Sequence, residues 1–229
     1  AKTAEYEKLA HALSAPGACA LFGLPGSGRA MVYAALAKET GRFLCIVTPG
    51  EAEATRFAGD LNALGIPTAV FPARDYVLRP IEGTAREYEY RRLSVLGDIV
   101  GGRLQAVCVP DEGLTQYTTP RAEFCNNSRT LHPGDTVPRT ELTALLYNAG
   151  YARRAQVDGP GQFSIRGDIV DLYAPDMKLP VRMEFWGDEI DTMHTFDLAT
   201  QRREDPIEKI YVSPAREVLF GSPAEAAEL

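Results

Sequence analysis

The first half of the chain alternates short apolar runs with segments of helical periodicity. Uninterrupted apolar runs are typical of strands that are covered on both faces. The predicted strands are residues 18–23, 43–48, 68–72 and 104–109. The predicted helices between them are residues 28–39, 49–64 and 84–99. This alternation predicts a parallel sheet with helices on both of its faces.

A helix start signal precedes the second of these helices. Thr48 and Glu51 have the spacing of a capping box, in which a hydroxyl and a carboxylate bond the free N–H groups of the first turn. Pro49 would then occupy the first helical position, where its fixed φ is favourable. The sequence therefore predicts that Thr48 caps this helix.

The second half of the chain changes from helical periodicity to strand-like runs separated by turn residues. One more helix is predicted at residues 139–150. The predicted strands that follow are residues 151–157, 162–166, 168–173, 181–186 and 189–196. Glycine, proline and aspartate clusters between these runs are typical of tight turns. This part of the chain therefore predicts a smaller α+β domain with a mostly antiparallel sheet.

The change of pattern also predicts the domain boundaries. Residues 115–128 have no clear period, so the first domain is assigned to residues 1–122 and the second to residues 123–212. We expect residues 213–229 to return to the first domain or to lead into the rest of a longer chain.

Charge and composition exclude several classes of function. The chain has 24 Lys and Arg residues against 31 Asp and Glu residues, which gives a formal net charge of −7. A general nucleic-acid-binding protein needs a basic surface, so this balance disfavours that class. No run approaches the roughly 18 apolar residues of a membrane helix. The three histidines are too scattered for a zinc site. We therefore expect neither a membrane segment nor a metal.

The cysteines indicate a reducing compartment. Cys19, Cys45, Cys108 and Cys125 show no C-x-x-C spacing, and the first three lie in short apolar runs. This pattern predicts buried, reduced thiols in a cytoplasmic protein.

Residues 23–30, with the sequence GLPGSGRA, nearly match the phosphate-binding P-loop pattern G-x-x-x-x-G-K-[ST]. Gly23 and Gly28 have the required separation, and the segment lies between a predicted strand and a predicted helix. Arg29 stands where the pattern has lysine, and Ala30 stands where it has the hydroxyl that ligates Mg²⁺. A packing turn, nucleotide binding without hydrolysis and active hydrolysis remain as alternatives, in that order of preference.

We interpret this segment as a vestigial nucleotide loop in a degenerate, RecA-like P-loop domain, without a cofactor. The residues of the loop are Gly23, Gly26, Ser27, Gly28, Arg29 and Ala30.

The strand predicted at residues 181–186 alternates cleanly. Its odd-numbered residues are Val, Met and Phe, so the side chains of Arg182 and Trp186 share the opposite face. Arg166 lies on the polar face of a neighbouring predicted strand. Arginine and tryptophan are enriched at interface hot spots, which favours a docking surface. The alternative is that the arginines form ordinary surface ion pairs and that Trp186 folds over the sheet edge.

Three stretches resemble the N-terminal, UvrB-like module of the bacterial transcription-repair coupling factors (the Mfd family). They are GLPGSGRA at residues 23–30, QVDGPGQFSIRGDIVDLYAP at residues 156–175 and LPVRMEFWGDEIDTMHTFDLATQR at residues 179–202. UvrB itself is similar, but it keeps a Lys-Thr pair in its loop and has an aromatic hairpin with no counterpart here. Residues 71–83 depart from the family pattern, so no role is transferred to them.

The resemblance implies that the chain is a fragment of a longer ATP-dependent DNA translocase. That parent displaces stalled RNA polymerase from double-stranded DNA and recruits the repair protein UvrA. The resemblance further implies that this module is not an enzyme. The family's UvrA-contacting positions fall on Arg166, Arg182 and Trp186, where the last position is often Phe. Two other hypotheses remain: a UvrB-type ATP-dependent DNA-repair helicase with a working nucleotide site, and a DNA-binding module.

Overall fold

The computed structural model describes residues 3–74 and 84–218, and these residues form seven helices and eleven strands. The helices are α1 Ala4–Ala12, α2 Gly26–Thr40, α3 Glu51–Ala63, α4 Thr84–Val100, α5 Asp111–Leu114, α6 Arg121–Asn126 and α7 Arg139–Asn148. The strands are β1 Leu44–Thr48, β2 Thr68–Val70, β3 Ala106–Pro110, β4 Arg129–Leu131, β5 Ala152–Arg153, β6 Gln162–Arg166, β7 Ile169–Tyr173, β8 Val181–Trp186, β9 Glu189–Phe196, β10 Arg203–Pro206 and β11 Ile210–Val212.

The chain divides into two compact units. Among the described residues, the first unit comprises residues 3–73 and 101–116, and the second comprises residues 74, 84–100 and 117–218. Helix α4 belongs to the second unit, although it lies within the segment 1–122 that the sequence assigns to one domain. The domain boundaries drawn from the sequence remain predictions.

The first unit contains the predicted parallel sheet. Its strands have the order β1-β3-β2, and both pairs are parallel. The alanines of α2 at positions 30, 34 and 37 recur with helical spacing and pack into the core with Phe57 and Leu61 of α3. The parallel α/β arrangement predicted for this part of the chain is therefore confirmed for three strands.

The strand predicted at residues 18–23 is wrong. These residues lie outside any helix or strand, and Leu21 and Phe22 are 47% and 87% exposed. An isolated extended segment leaves its N–H and C=O groups without a ladder, so a strand forms only beside a partner. No strand of the described residues pairs with this segment.

The predicted capping box is also wrong. The N-cap of α3 is Gly50, which makes no side-chain capping bond. Thr48 lies two residues before that cap, and its hydroxyl donates to the carbonyl of Gly50 (3.0 Å). Pro49 therefore precedes the helix, which begins at Glu51, two residues later than the capping pattern requires.

The predicted burial of the thiols holds only in part. All four cysteines are free, but only Cys108 is buried, and Cys19, Cys45 and Cys125 are exposed. Burial raises the pKa of the Cys108 thiol to about 11, and the charge of Cys45 adds to the increase. Apolar neighbours in the sequence did not bury Cys19, because its segment is not part of the sheet.

The second unit is built on a six-stranded sheet with the order β10-β9-β8-β7-β6-β5. Its pairs are antiparallel except for the parallel pair β5–β6, which confirms the predicted, mostly antiparallel sheet. The strand predicted at residues 151–157 is reduced to Ala152–Arg153. One face of the sheet packs with α7 in a core that includes Phe163, Leu172 and Met183.

A buried ion pair ties residue 217 into the second unit. The Glu217 carboxylate accepts hydrogen bonds from Nε and Nη2 of Arg92 at 2.8 and 2.7 Å. Arg74 donates to the same carboxylate at 2.7 Å. Residues 213–218 therefore pack with α4 of the second unit.

Candidate functional site

The glycine-rich loop at residues 23–30 leads into a helix, as the sequence predicts. Gly23 has a φ of +83°, in the left-handed region that favours glycine. Helix α2 begins at Gly26, with Pro25 as an N-cap that makes no side-chain bond. The backbone N–H of Arg29 donates to the carbonyl of Pro25 (3.1 Å). The amide at the lysine position is therefore already used within the helix, whereas the amides of a P-loop surround phosphates.

Two further positions of the loop, Ala30 and Gly28, make packing contacts. Ala30 is 1% exposed and lies in the core of the first unit, at the position where a P-loop places its metal-ligating hydroxyl. A Cβ on Gly28 would lie 3.3 Å from Cδ of Pro25, so glycine permits a close approach of the helix to the loop. These contacts favour the packing turn among the alternatives for the loop.

No metal or membrane feature occurs among residues 3–74 and 84–218. No group of three or more His, Cys, Asp or Glu side chains in these ranges could hold a metal ion. No helix that the structure describes is both long and apolar enough to span a membrane.

Strand β8 separates its side chains as the alternation predicts. Val181, Met183 and Phe185 are buried in the core of the second unit. Arg182 and Trp186 lie on the opposite side of the sheet, which we call the outer face. The outer face also carries Glu184 of β8, together with the residues of β7 and β6 that are in register with Arg182 and Glu184. Strand β7 lies between β6 and β8 in the sheet.

Two arginines on the outer face converge on one buried carboxylate. Asp171 is in register with Arg182 on the neighbouring strand, and its side chain is fully buried. Its Oδ1 accepts from Nε of Arg182 at 2.7 Å, and its Oδ2 accepts from Nη2 of Arg182 at 2.9 Å. Nη2 of Arg166 donates to Oδ2 at 2.6 Å. We call Arg166, Asp171 and Arg182 the Asp171 network.

Arg182 is enclosed by further contacts. Its Nη1 donates to the carbonyl of Gln201 (3.2 Å), and its guanidinium carbon lies 4.6 Å from the centre of the Phe196 ring. The hydrogen bond to Asp171 raises the pKa of Arg182 above its usual value, and the charge of Asp171 adds to this increase against the effect of burial. The side chain is only 12% exposed, so Arg182 lies on the predicted face without projecting freely from it.

Trp186 has the opposite character. It ends β8 and is 84% exposed, so it is not buried against the sheet edge, although both arginines do form ion pairs as the alternative expects. It lies four residues from Arg182 on the same face, which corresponds to about 13 Å along a strand. Along the strand direction, Arg166 is nearer than Arg182 to the level of Trp186. Arg166 is in register with Ile169, which is in register with Glu184. The side chain of Arg166 is 46% exposed.

The turn that carries Arg166 is supported from helix α7. Nη1 of Arg139 donates to the carbonyl of Gly167 (2.9 Å) and lies 2.5 Å from Oδ1 of Asp168. The N–H of Phe185 donates to the carbonyl of Asp168 (2.8 Å). These bonds fix the β6–β7 turn next to Arg166.

The sequence interpretation missed Asp171. An acidic residue in the middle of the apolar run IVDLY was the available signal, because a buried carboxylate needs a partner. The partner could not be identified without the register of β7 against β8.

Comparisons of the sequence with known proteins give matches over most of the chain. Residues 130–218 match the family model described as the UvrB interaction domain. The transcription-repair-coupling factor of Bacillus subtilis is 29% identical over 202 residues, which is 87% of this chain and 17% of the relative. That of Staphylococcus aureus is 27% identical over 86% of this chain and 17% of the relative. That of Mycobacterium bovis is 34% identical over 90% of this chain and 17% of the relative.

The chain therefore spans 17% of the length of these curated relatives. The Asp171 network and Trp186 lie within the matched residues 130–218. The resemblance identified from the sequence is confirmed: over most of its length the chain is a homologue of a segment of the bacterial transcription-repair-coupling factors, with a UvrB interaction domain match at residues 130–218.

Proposed function

We propose that the chain is a non-catalytic module that binds UvrA and thereby recruits nucleotide excision repair to stalled RNA polymerase. The match to the UvrB interaction domain and the likeness to transcription-repair-coupling factors support this role. In a longer parent protein, other domains would contact RNA polymerase and double-stranded DNA and would supply ATP-driven translocation. We place this role in the cytoplasm.

The observation that carries the proposal is an exposed tryptophan on the same sheet face as anchored arginines. Trp186 leaves most of a large ring in water, and burial of such a ring against a partner is strongly favourable. The Asp171 network has two guanidinium groups and one carboxylate, so it carries an excess positive charge. A partner surface with an apolar pocket next to carboxylates fits this combination.

The first prediction is that Trp186→Ala and Arg166→Ala each weaken UvrA binding about 30-fold, which is the effect of losing a hot spot of about 2 kcal/mol. Isothermal titration of the 229-residue chain with UvrA measures the dissociation constants. Both side chains are well exposed, so the melting temperature of each variant is expected to stay close to that of the unmodified chain.

Matched controls separate this effect from a general loss of surface. Tyr117→Ala removes another exposed aromatic ring, and Arg154→Ala removes another exposed guanidinium in the second unit. Both controls are expected to bind UvrA as the unmodified chain does. Absence of UvrA binding by the unmodified chain would refute the proposed function, and equal losses in the controls would refute the location of the surface.

A UvrB-type ATP-dependent DNA-repair helicase with a working nucleotide site is the alternative function. The spacing of Gly23 and Gly28 is the observation that favours it. The burial of Ala30 and the bonded amide of Arg29 favour the non-catalytic module instead.

A further inference from the structure

We infer that Asp171 is a positioning residue of the docking surface: its buried carboxylate holds Arg166 ready for a carboxylate of the partner. This inference rests on the proposed function. It assigns a role in binding to a residue that a partner cannot touch, since the Asp171 side chain is fully buried.

The hydrogen bonds of Asp171 show how it could act on both arginines at once. Arg182 forms a two-bond fork with the carboxylate, and Arg166 adds a third bond to Oδ2. Bidentate arginine–carboxylate pairs have a fixed geometry, so Arg182 determines where the Asp171 oxygens point. The orientation of those oxygens in turn determines where Nη2 of Arg166 lies.

The two arginines differ in what they can offer to a partner. Arg182 is 12% exposed, and its Nε, Nη1 and Nη2 all donate to Asp171 or Gln201. Arg166 is 46% exposed and donates to Asp171 through Nη2. Its Nε and Nη1 donors have no acceptor among the described residues. Arg166 therefore has donors left for a partner carboxylate, and Arg182 also contributes as the fixed cation that orients Asp171.

Positioning increases affinity for an entropic reason. A free arginine side chain loses rotamer freedom when it is immobilised at an interface, and this loss opposes binding. In the folded chain the bond to Asp171 has already restricted Arg166 before the partner arrives. Asp171 also competes for only one of the guanidinium nitrogens, so the remaining donors can bind a partner carboxylate in a charge-assisted contact.

A double-mutant cycle tests the inference in the 229-residue chain with UvrA as the titrant. Asp171→Asn keeps the shape of the side chain and removes its charge, and it is expected to weaken binding about 10-fold. Arg166→Gln is expected to weaken binding by a similar factor. Because Asp171 acts through Arg166, the double variant should bind within about twofold of Arg166→Gln alone.

Two further variants serve as controls. Asp158→Asn removes an exposed carboxylate outside the sheet and should leave the dissociation constant unchanged within about twofold. Asp171→Glu keeps the charge but moves it by one methylene, so it should fold even where Asp171→Asn does not and should weaken binding about threefold. NMR signals of the Arg166 Nε–H group should shift in both Asp171 variants and remain in place in Asp158→Asn.

The outcomes distinguish the inference from the proposed function. If the unmodified chain fails to bind UvrA, the proposed function is refuted and the inference falls with it. If the unmodified chain binds but the losses of Asp171→Asn and Arg166→Gln add in full, Asp171 has only a structural role. Unchanged or tighter binding by the Asp171 variants would show that Asp171 competes with the partner for Arg166.

Discussion

Two buried carboxylates in the second unit, Asp171 and Glu217, each accept hydrogen bonds from a pair of arginines. In the case of Glu217, the side chains of the carboxylate and of Arg92 are both fully buried, and Arg74 completes the group. A buried ion pair adds little stability over an apolar pair of the same shape, but the loss of one partner leaves an uncompensated charge. A single substitution at either carboxylate is therefore expected to lower the free energy of unfolding by more than the loss of its hydrogen bonds alone.

We predict that Glu217→Gln destabilises the second unit by about 3–5 kcal/mol, because it removes the buried carboxylate charge that Arg92 and Arg74 both bond. Urea unfolding measures the change in the free energy of unfolding, and hydrogen exchange in the six-stranded sheet assigns that change to the second unit. Glu208→Gln is the matched control, since Glu208 is exposed, and it should change stability by less than about 0.5 kcal/mol. Similar values for the two variants would contradict the account of Glu217.

At the scale of elements, hydrophobic pattern predicted side-chain faces better than it predicted pairing. Strand β8 has its apolar residues in the core and Arg182 and Trp186 on the outer face, as the alternation requires. The apolar run at residues 18–23 has the composition of a strand, but it has no neighbouring strand in the described part of the chain. The helix after it forms regardless, because helical hydrogen bonds are local.

We predict that the glycine-rich loop at residues 23–30 does not bind nucleotide. Titration with Mg-ATP should show no binding in the micromolar range. The double variant Arg29→Lys with Ala30→Thr should gain no turnover and should lose roughly 1–3 kcal/mol of stability, because it places a hydroxyl and a methyl group in a packed core.

The matched control for this loss is Ser27→Thr, which adds a methyl group to an exposed position of the same helical turn. Its stability should change by less than about 0.5 kcal/mol. ATP hydrolysis by the double variant would instead show that the remaining parts of a nucleotide site are intact and would favour the helicase function.

The whole chain has a net charge of −7, and this charge contributes to the electrostatic potential at the outer face. A chain with this charge repels nucleic acid at long range, whereas the excess positive charge of the Asp171 network is local. Salt weakens the attraction between exposed charges, but it does not weaken the hydrophobic burial of a ring such as that of Trp186.

We therefore predict that the chain binds duplex DNA more weakly than roughly 10⁻⁴ M at physiological salt, beyond the weak end of ordinary non-specific binding. Fluorescence anisotropy with a labelled duplex at two salt concentrations measures this affinity. UvrA binding under the same conditions should weaken with salt but persist. Micromolar DNA binding with a steep salt dependence would support the DNA-binding hypothesis instead.

The class of each half and the family resemblance could be inferred from the amino-acid sequence alone. Periodicity depends on local spacing, so the helices α2, α3, α4 and α7 and the strands β6, β7, β8 and β9 could be predicted from it, whereas β10 was not. The positions of Arg166, Arg182 and Trp186 on one face followed from the same alternation, together with motifs that are specific enough to identify relatives. Their role in binding UvrA remains a proposal.

Which of these side chains are exposed to a partner depends on the tertiary structure. Asp171, Arg166 and Arg182 meet because β7 lies between β6 and β8 in a defined register, and strand order is a long-range property that local pattern does not contain. The same holds for Glu217, whose partner Arg92 is 125 residues away along the chain. Burial of a charge depends on contacts between distant segments of the chain. For this reason Arg182 is enclosed and Arg166 is exposed, although the sequence places both arginines on one face.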